Sequence, residues 1–160
     1  MIESMINRWM DAIKQQLIAS YNQRGLRASG NWERELESQV SITESSVSAK
    51  MLGSTYTGVM VTGRKPNANQ SKEQLRKFVG WAGSTFLAEW VRNKGLKLNP
   101  FAVAYKIARE GVNVPNTYND GKLIEAVLTD ERIRQLNRMV GNQLIVDFKS
   151  DFVKIFKYGN

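Results

Sequence analysis

Residues 37–52, ESQVSITESSVSAKML, decide the fold class because they interrupt the helical pattern of the chain around them. Val40 and Ile42 alternate with polar residues in the first half, and the second half alternates less strictly. Alternation with a period of two is typical of a half-buried strand. The short polar link Glu44–Ser46 separates the halves, so the stretch predicts a β-hairpin. Residues 55–63, TYTGVMVTG, are a candidate for a third extended segment.

Helical periodicity marks both ends of the chain. Residues 2–21 place apolar side chains three and four positions apart, which predicts an amphipathic N-terminal helix. A long C-terminal helix is expected from Thr129 or Asp130, and residues 143–148, QLIVDF, fit either this helix or a strand. Its apolar stripe comprises Ile133, Leu136, Val140, Leu144, Phe148, Phe152 and Ile155. The terminal aromatics Phe148, Phe152, Phe156 and Tyr158 fit either core or a surface shared with another subunit.

Capping signals divide the middle of the chain into shorter helices. Ser71 and Gln74 form a capping box at the start of a central helix, and Gly80 and Gly83 weaken the middle of that helix. Lys94-Gly95 is a signal for its C-terminal end. Asn99-Pro100 predicts the start of the next helix, and Gly111 predicts its end. With 160 residues and no repeat or linker, the chain is expected to form a single α+β domain over residues 1–160. A small hairpin-containing sheet would pack with N-terminal, central and long C-terminal helices. The C-terminal helical region would begin at about residue 129.

The composition removes several classes of function. The chain has no cysteine and no histidine, which excludes disulfides, Cys nucleophiles, Ser-His-Asp triads and zinc sites of the usual kind. No apolar run reaches the roughly 20 residues that a membrane helix needs. The N-terminus is charged throughout, unlike a signal peptide. We therefore expect a cytoplasmic origin with no membrane, cofactor or metal.

The net charge of +8 lies entirely in residues 64–109, which we call the basic segment. Residues 1–63 and 110–160, the neutral portion, each contain equal numbers of basic and acidic residues. The candidate set facing a partner or DNA comprises Arg64, Lys65, Lys72, Arg76, Lys77, Arg92, Lys94 and Lys97. Aromatic residues interleave with these cations. That pattern fits a nucleic-acid surface or an amphipathic helical region with aromatic residues inside; helical spacing favours the second for the rings, while packing does not explain the cations.

Residues 63–67, GRKPN, are not a phosphate-binding P-loop, because Pro66 removes a backbone amide and the glycine-rich run is missing. A Mg²⁺-dependent nuclease is the remaining enzymatic alternative, with Asp120 and Glu125 holding the ion and Lys122 orienting water. Asn119-Asp120-Gly121 is also a common turn sequence, and that interpretation needs no metal. Trp32 and Tyr56 fit either core and hairpin packing or contacts with a partner.

Three motifs together resemble the small neck and tail-completion proteins that join head to tail in tailed bacteriophages. The first is Tyr56 with Gly63, Arg64 and Pro66, matching Y…G-R-x-P. The second is a W-x-x-x-K-G helix end at Trp90, Lys94 and Gly95. The third comprises Ala104, Tyr105, Ile107, Ala108, Arg109 and Gly111. The resemblance covers roughly residues 1–116, including the helix and hairpin that precede these motifs.

The resemblance implies a structural virion subunit without catalytic activity. It implies a homomeric ring of about six or twelve copies at the head–tail junction, in contact with the portal or connector and with tail proteins. The protein would be located in the virion, and in the host cytoplasm during assembly. The basic segment would meet DNA in the channel or an acidic partner, and the loop GRKPNANQ would be exposed for that contact. A basic nucleic-acid-binding module is the main alternative.

Overall fold

The computed structural model describes residues 2–43, 46–54, 56–80 and 87–158, and it describes side chains as far as residue 146. These ranges contain seven helices and two strands, so the α+β fold predicted from the sequence is confirmed. In chain order they are α1 (Ile2–Gln23), α2 (Asn31–Glu35), β1 (Glu37–Ile42), β2 (Val47–Leu52), α3 (Tyr56–Thr62), α4 (Lys72–Val79), α5 (Leu87–Asn93), α6 (Pro100–Glu110) and α7 (Asp130–Tyr158).

The predicted hairpin forms as an antiparallel pair in which Glu37 lies opposite Leu52 and Ile42 opposite Val47. Opposite residues point to the same face of a sheet, and the face alternates along each strand. One face therefore carries Val40, Ile42, Val47, Ala49 and Met51. Helix α1 packs against the hairpin, and Met51 joins the core at its base. The alternation seen in the sequence thus builds an amphipathic ribbon.

The first core cluster lies between α1 and the elements that follow it. Its buried members are Ile13, Leu17, Tyr21, Trp32, Leu36, Met60, Leu123 and Val127. The rings of Tyr21 and Trp32 lie 4.4 Å apart, and the Trp32 Nε1–H donates to Thr57 Oγ1 at 2.8 Å. Trp32 is therefore a core residue, whereas Tyr56 is exposed.

The second core cluster lies within the basic segment. Its buried members are Leu75, Val79, Leu87, Ala104 and Ala108, with Phe78, Trp90, Phe101 and Ile107 packed around them. Helices α4, α5 and α6 pack against one another through this cluster. Two further aromatics of the segment, Trp81 and Phe86, lie outside the described residues. Phe78, Trp90 and Phe101 support the amphipathic interpretation of the rings, whereas Tyr105 is 58% exposed.

The capping signals act as predicted. Gln74 N–H donates to Ser71 Oγ at 3.2 Å, and Ser71 N–H donates to Gln74 Oε1 at 2.8 Å, which completes the capping box of α4. Gly80 ends α4, and Gly83 lies outside the described residues. Asn99 accepts from Phe101 N–H at 2.8 Å at the start of α6, and Gly111 ends that helix.

The prediction of an extended segment over residues 55–63 was wrong. Residues 56–62 form helix α3, which starts with Thr57 N–H donating to the Ser54 carbonyl at 2.9 Å. The helix buries Met60 in the first core and places Thr57 against Trp32. Strand propensity is a weak preference that packing overrides, and here a third strand would forgo both contacts.

Helix α7 resolves the choice left open for residues 143–148, which are helical. Gly141 lies inside the helix without ending it. The described members of its apolar stripe are half-buried or exposed, and no residue of 130–146 is buried. The terminal aromatics Phe148, Phe152, Phe156 and Tyr158 lie outside the described side chains. Most of the described apolar stripe therefore lies outside both core clusters.

Candidate interaction surface of the basic segment

The loop that begins the basic segment is tied to the end of α6. Arg64 N–H donates to the Val112 carbonyl at 2.8 Å, and Val112 N–H donates back to the Arg64 carbonyl at 2.8 Å. Asn67 N–H donates to the Ala108 carbonyl at 2.6 Å. The G-R-x-P motif and the A-R-x-G helix end are thus held together by hydrogen bonds that join each motif to the residue directly after the other.

Glycine is required on both sides of this bridge. Gly63 has φ 78°, and a Cβ there would lie 2.1 Å from the Val112 carbonyl oxygen. Gly111 has φ 75°, and a Cβ there would lie 2.3 Å from the Arg64 carbonyl oxygen. Both contacts are to backbone, which cannot move aside as the end of a side chain can. The two glycines therefore let the chain segments approach closely enough to pair.

Arg64 is half-buried rather than fully exposed. Its guanidinium carbon lies 4.8 Å from the centre of the Phe78 ring, within the range of a cation–π interaction. Phe78 in turn packs on the second core cluster. Arg64 therefore anchors the loop to α4, while residues 65–69 beyond it are exposed. Lys65 is the cation that this loop presents.

Most of the candidate cations project from the outside of the three-helix cluster. Lys72 and Arg76 are four residues apart on α4 and so share one helix face. Lys77 forms an exposed ion pair with Glu73 at 3.2 Å, and Lys106, outside the candidate set, pairs with Glu110 at 4.0 Å. Among the described residues no carboxylate pairs with Lys65, Lys72, Arg76, Arg92, Lys97 or Arg109. These six keep their positive charge available to a partner.

Lys94 has a different position from the other candidates. Its ammonium group donates to the carbonyl oxygen of Gly25, in the loop after α1. This contact links the end of α5 to the neutral portion. We therefore assign Lys94 to the internal packing of the chain and the exposed cations to the candidate surface.

Arg109 belongs beside the candidate set, although the sequence analysis named it only as a member of the third motif. It lines a cavity of about 100 Å³ together with Ala68, Gln70 and Tyr105. The Gln70 side-chain oxygen there is buried and has no hydrogen-bond partner among the described residues. The position of Arg109 in the AYKIARE motif was the available signal. Its proximity to the 64–70 loop depends on the pairing of two segments distant in sequence.

Asp120 and Lys122, proposed for a nuclease centre, make structural contacts instead. Arg24 forms an ion pair with the Asp120 carboxylate, and Lys122 N–H donates to Asp120 Oδ1 at 3.0 Å. The hydrogen bond from Arg24, followed by that from the Lys122 amide, holds the pKa of Asp120 below its usual range. Within the described part of the chain no three His, Cys, Asp or Glu side chains are grouped to hold a metal. Asp120 thus closes a turn, with Gly121 at φ 73°.

Comparison of the chain with protein-family models, curated proteins and solved structures gives no match. Of the helices that the structure describes, none combines the length and apolar character needed to cross a membrane. A functional assignment therefore depends on the distribution of charge, the exposed apolar side chains and the sequence motifs of the chain itself.

Proposed function

We propose that this protein is a structural virion subunit of a tailed bacteriophage, a neck or tail-completion protein that assembles into a homomeric ring at the head–tail junction. The carrying observation is the concentration of positive charge in the basic segment, together with the uncovered apolar side chains at the hairpin tip and on α7. The resemblance in three motifs agrees with this role. The role requires no catalysis, cofactor or metal.

The basic segment supplies the surface for DNA or an acidic partner. Lys65, Lys72, Arg76, Arg92, Lys97 and Arg109 are exposed and have no carboxylate partner among the described residues. Lysine and arginine bind DNA phosphates without regard to base sequence, as a channel for passing DNA requires. A portal or tail protein with an acidic rim would use the same charges.

The hairpin supplies one apolar surface for contact between subunits. Its apolar face is covered at the base, where Met51 meets the core, but Ile42 is 42% exposed and Val47 is 40% exposed at the tip. A two-stranded hairpin alone is only marginally stable in water. A neighbouring subunit that packs on this tip, or pairs with an open strand edge, would stabilise it.

The C-terminal helix supplies a second apolar surface. Leu144, Ile145 and Val146 on α7 are each more than half exposed. Two different unpartnered surfaces on one chain suit a heterologous contact, in which the helix of one copy meets another surface of the next. Such contacts close into rings when the rotation between copies is a simple fraction of a turn.

The first experiment is quantitative mass spectrometry of purified particles from the source, normalised to the portal protein. We expect a fixed copy number near that of the portal or half of it. Solution mass is a poorer test, because such subunits can remain monomeric until they assemble. Absence of the protein from intact particles would overturn the proposal.

Charge removal tests the role of the basic segment inside the particle. In Lys65→Ala/Arg76→Ala, two exposed cations are lost while Arg64 keeps its contact with Phe78. We expect the fold to be unchanged by circular dichroism and the yield of infectious particles to fall about tenfold. Arg8→Ala/Lys122→Ala removes the same charge from exposed positions of the neutral portion that have no carboxylate partner among the described residues, and is the control. Equal yields for the two double variants would contradict the role of the basic segment.

The second candidate function is a basic nucleic-acid-binding module, which the same six unpaired cations favour. If about six phosphates were contacted, affinity would fall about a thousandfold or more between 50 and 200 mM salt. Fluorescence anisotropy with a labelled duplex measures that dependence. Tight, steeply salt-dependent binding by a protein missing from particles would establish the module in place of the virion subunit.

A further inference from the structure

A cavity of about 450 Å³ lies in the neutral portion, away from the residues assigned to the candidate surface. One wall is the second half of α1 and the residue after it, and the other is the segment that leads into α7. Its polar and charged lining comprises Gln16, Ser20, Gln23, Arg24 and Arg132. The cavity is largely open to solvent, and its volume is within the range of small-molecule sites.

Arg132, in the first turn of α7, lines this cavity and has no carboxylate partner among the described residues. Its Nη1 is buried and has no hydrogen-bond partner among the described residues. A guanidinium keeps its charge at any ordinary pH, so burial of an unpaired donor costs free energy that deprotonation cannot relieve. The other described arginines of α7 differ, because Arg134 and Arg138 both bind Glu131, at 3.2 Å and 2.8 Å.

Arg24 brings a second, firmly positioned guanidinium to the same cavity. Its Nε donates to Ser20 Oγ at 3.1 Å, and its Nη1 binds the Asp120 carboxylate. These two contacts fix the group while leaving its other N–H groups without a partner in the described structure. With Asp120 counted, the two arginines still give the cavity a net positive charge.

We propose that this cavity binds an oxyanion, a phosphate or carboxylate group of a small polyanionic molecule. The guanidinium of Arg132 would donate to the oxygens of the anion, and Arg24 would bind the same anion from the facing wall. Ser20, Gln16 and Gln23 supply further polar contacts. Because the cavity is larger than one inorganic ion, a molecule with several anionic groups fits it better. This inference is independent of the proposed role in assembly.

The experiment is isothermal titration of the whole protein with pyrophosphate and, separately, with citrate, in chloride buffer. The two probes distinguish phosphate from carboxylate as the preferred group. We expect at least one to bind, and Arg132→Gln to weaken that binding by about tenfold or more, since a charge-assisted contact is lost. Arg138→Gln removes the same charge from an exposed position on the same helix and is expected to bind as the unmodified protein does.

Amide chemical-shift mapping of the unmodified protein locates the bound anion even if Arg132→Gln does not fold. We expect the shifts to change at residues such as Gln23, Val127 and Arg132. Changes confined to the basic segment would overturn the proposal, because the anion would then be bound by the exposed cations. Equal weakening in the two variants, or no binding of either probe at millimolar concentration, would overturn it as well.

Discussion

The basic segment and the neutral portion of this protein differ in their balance of charge rather than in how their cations are paired. In the neutral portion Arg24, Arg27, Arg134 and Arg138 bind carboxylates, and the other described cations there do not. In the basic segment only Lys77 and Lys106 do so among the described residues. The neutral portion holds equal numbers of basic and acidic residues, whereas the basic segment holds ten basic residues and two acidic ones. Surface ion pairs contribute little to stability, so this excess of positive charge costs the fold little, and it suits an external partner of negative charge.

The two regions also differ in how their cores are built. The first core uses large side chains, including Tyr21, Trp32 and Leu123, whereas the second includes Ala104 and Ala108. Small residues let α6 approach α4 and α5 closely, and the hydrogen-bonded Arg64–Val112 bridge then connects the two regions. Variants that weaken the bridge, one core or one cap therefore test how far each region depends on the other.

The largest effect is expected at the bridge between the regions. Gly63→Ala would place a methyl group against the Val112 carbonyl and force a residue with a side chain into φ 78°. We expect the free energy of unfolding to fall by about 4–5 kcal/mol, because both hydrogen bonds of the bridge are lost along with the backbone strain. Urea unfolding followed by circular dichroism measures it.

Gly95→Ala is the matched control for that variant. Gly95 also has positive φ, at 64°, but a Cβ there would meet nothing within 4 Å. The expected loss is about 1 kcal/mol, from backbone strain alone. Similar losses for the two alanine variants would show that the close approach of Gly63 to Val112 is unimportant.

A smaller loss of stability is expected when a cavity is opened in each core. Leu123→Ala in the first core should lower the free energy of unfolding by about 3–4 kcal/mol, and Leu75→Ala in the second by about 2–3 kcal/mol. Leu123 is fully buried and Leu75 is nearly so, which sets the order. Amide hydrogen exchange measures protection separately in each region.

Exchange in these two variants tests whether the regions unfold together. If the Arg64–Val112 bridge couples them, Leu75→Ala should lower protection in α1 as well as in α6. Loss of protection restricted to the basic segment would show that the three helices open on their own. The basic segment and the neutral portion would then be two units that unfold independently.

The helix cap of α4 should contribute a smaller amount. Ser71→Ala removes the side-chain acceptor of the Gln74 amide and should cost about 1 kcal/mol. Ser71→Thr keeps an oxygen in that position and is the control. The midpoint of urea unfolding measures both variants, and a loss as large in the threonine variant would exclude the capping explanation.

The smallest effect is expected from the pH dependence of Asp120. Its pKa is lower in the folded protein than its ordinary value of 3.8, because Arg24 and the Lys122 amide bind the ionised form. The resulting stabilisation is complete above that ordinary value and disappears as pH falls through the lower, folded pKa. It should be slight, because the carboxylate is exposed.

Carbon-13 NMR of the Asp120 carboxyl group, with the Arg24→Gln variant as comparison, measures this pKa directly. Removal of the guanidinium should raise the pKa of Asp120 toward 3.8. An unchanged pKa would mean that Arg24 does not bind the carboxylate, and Arg24 would then lose its fixed position at the proposed anion cavity.

Local signals in the sequence were sufficient for most of the elements. The capping box at Ser71, the Asn99-Pro100 start and the alternation around Val40 each act over a few residues, and each was confirmed. Residues 55–63 were misassigned because Val59 and Val61 favour a strand locally, while burial of Met60 and the Trp32–Thr57 hydrogen bond favour a helix. Those contacts involve residues distant in sequence, so no local pattern shows them.

By itself, the sequence determined the concentration of charge in residues 64–109, the absence of cysteine and histidine chemistry, and the positions of most helix ends. Only the tertiary structure decided that Gly63 and Gly111 flank one bridge, that Arg64 packs on Phe78, and that Arg24 and Arg132 line one cavity. The physical reason is the range of the interactions. Charge totals and caps depend on composition or on neighbouring residues, whereas pairing of distant segments depends on packing free energy summed over the whole chain.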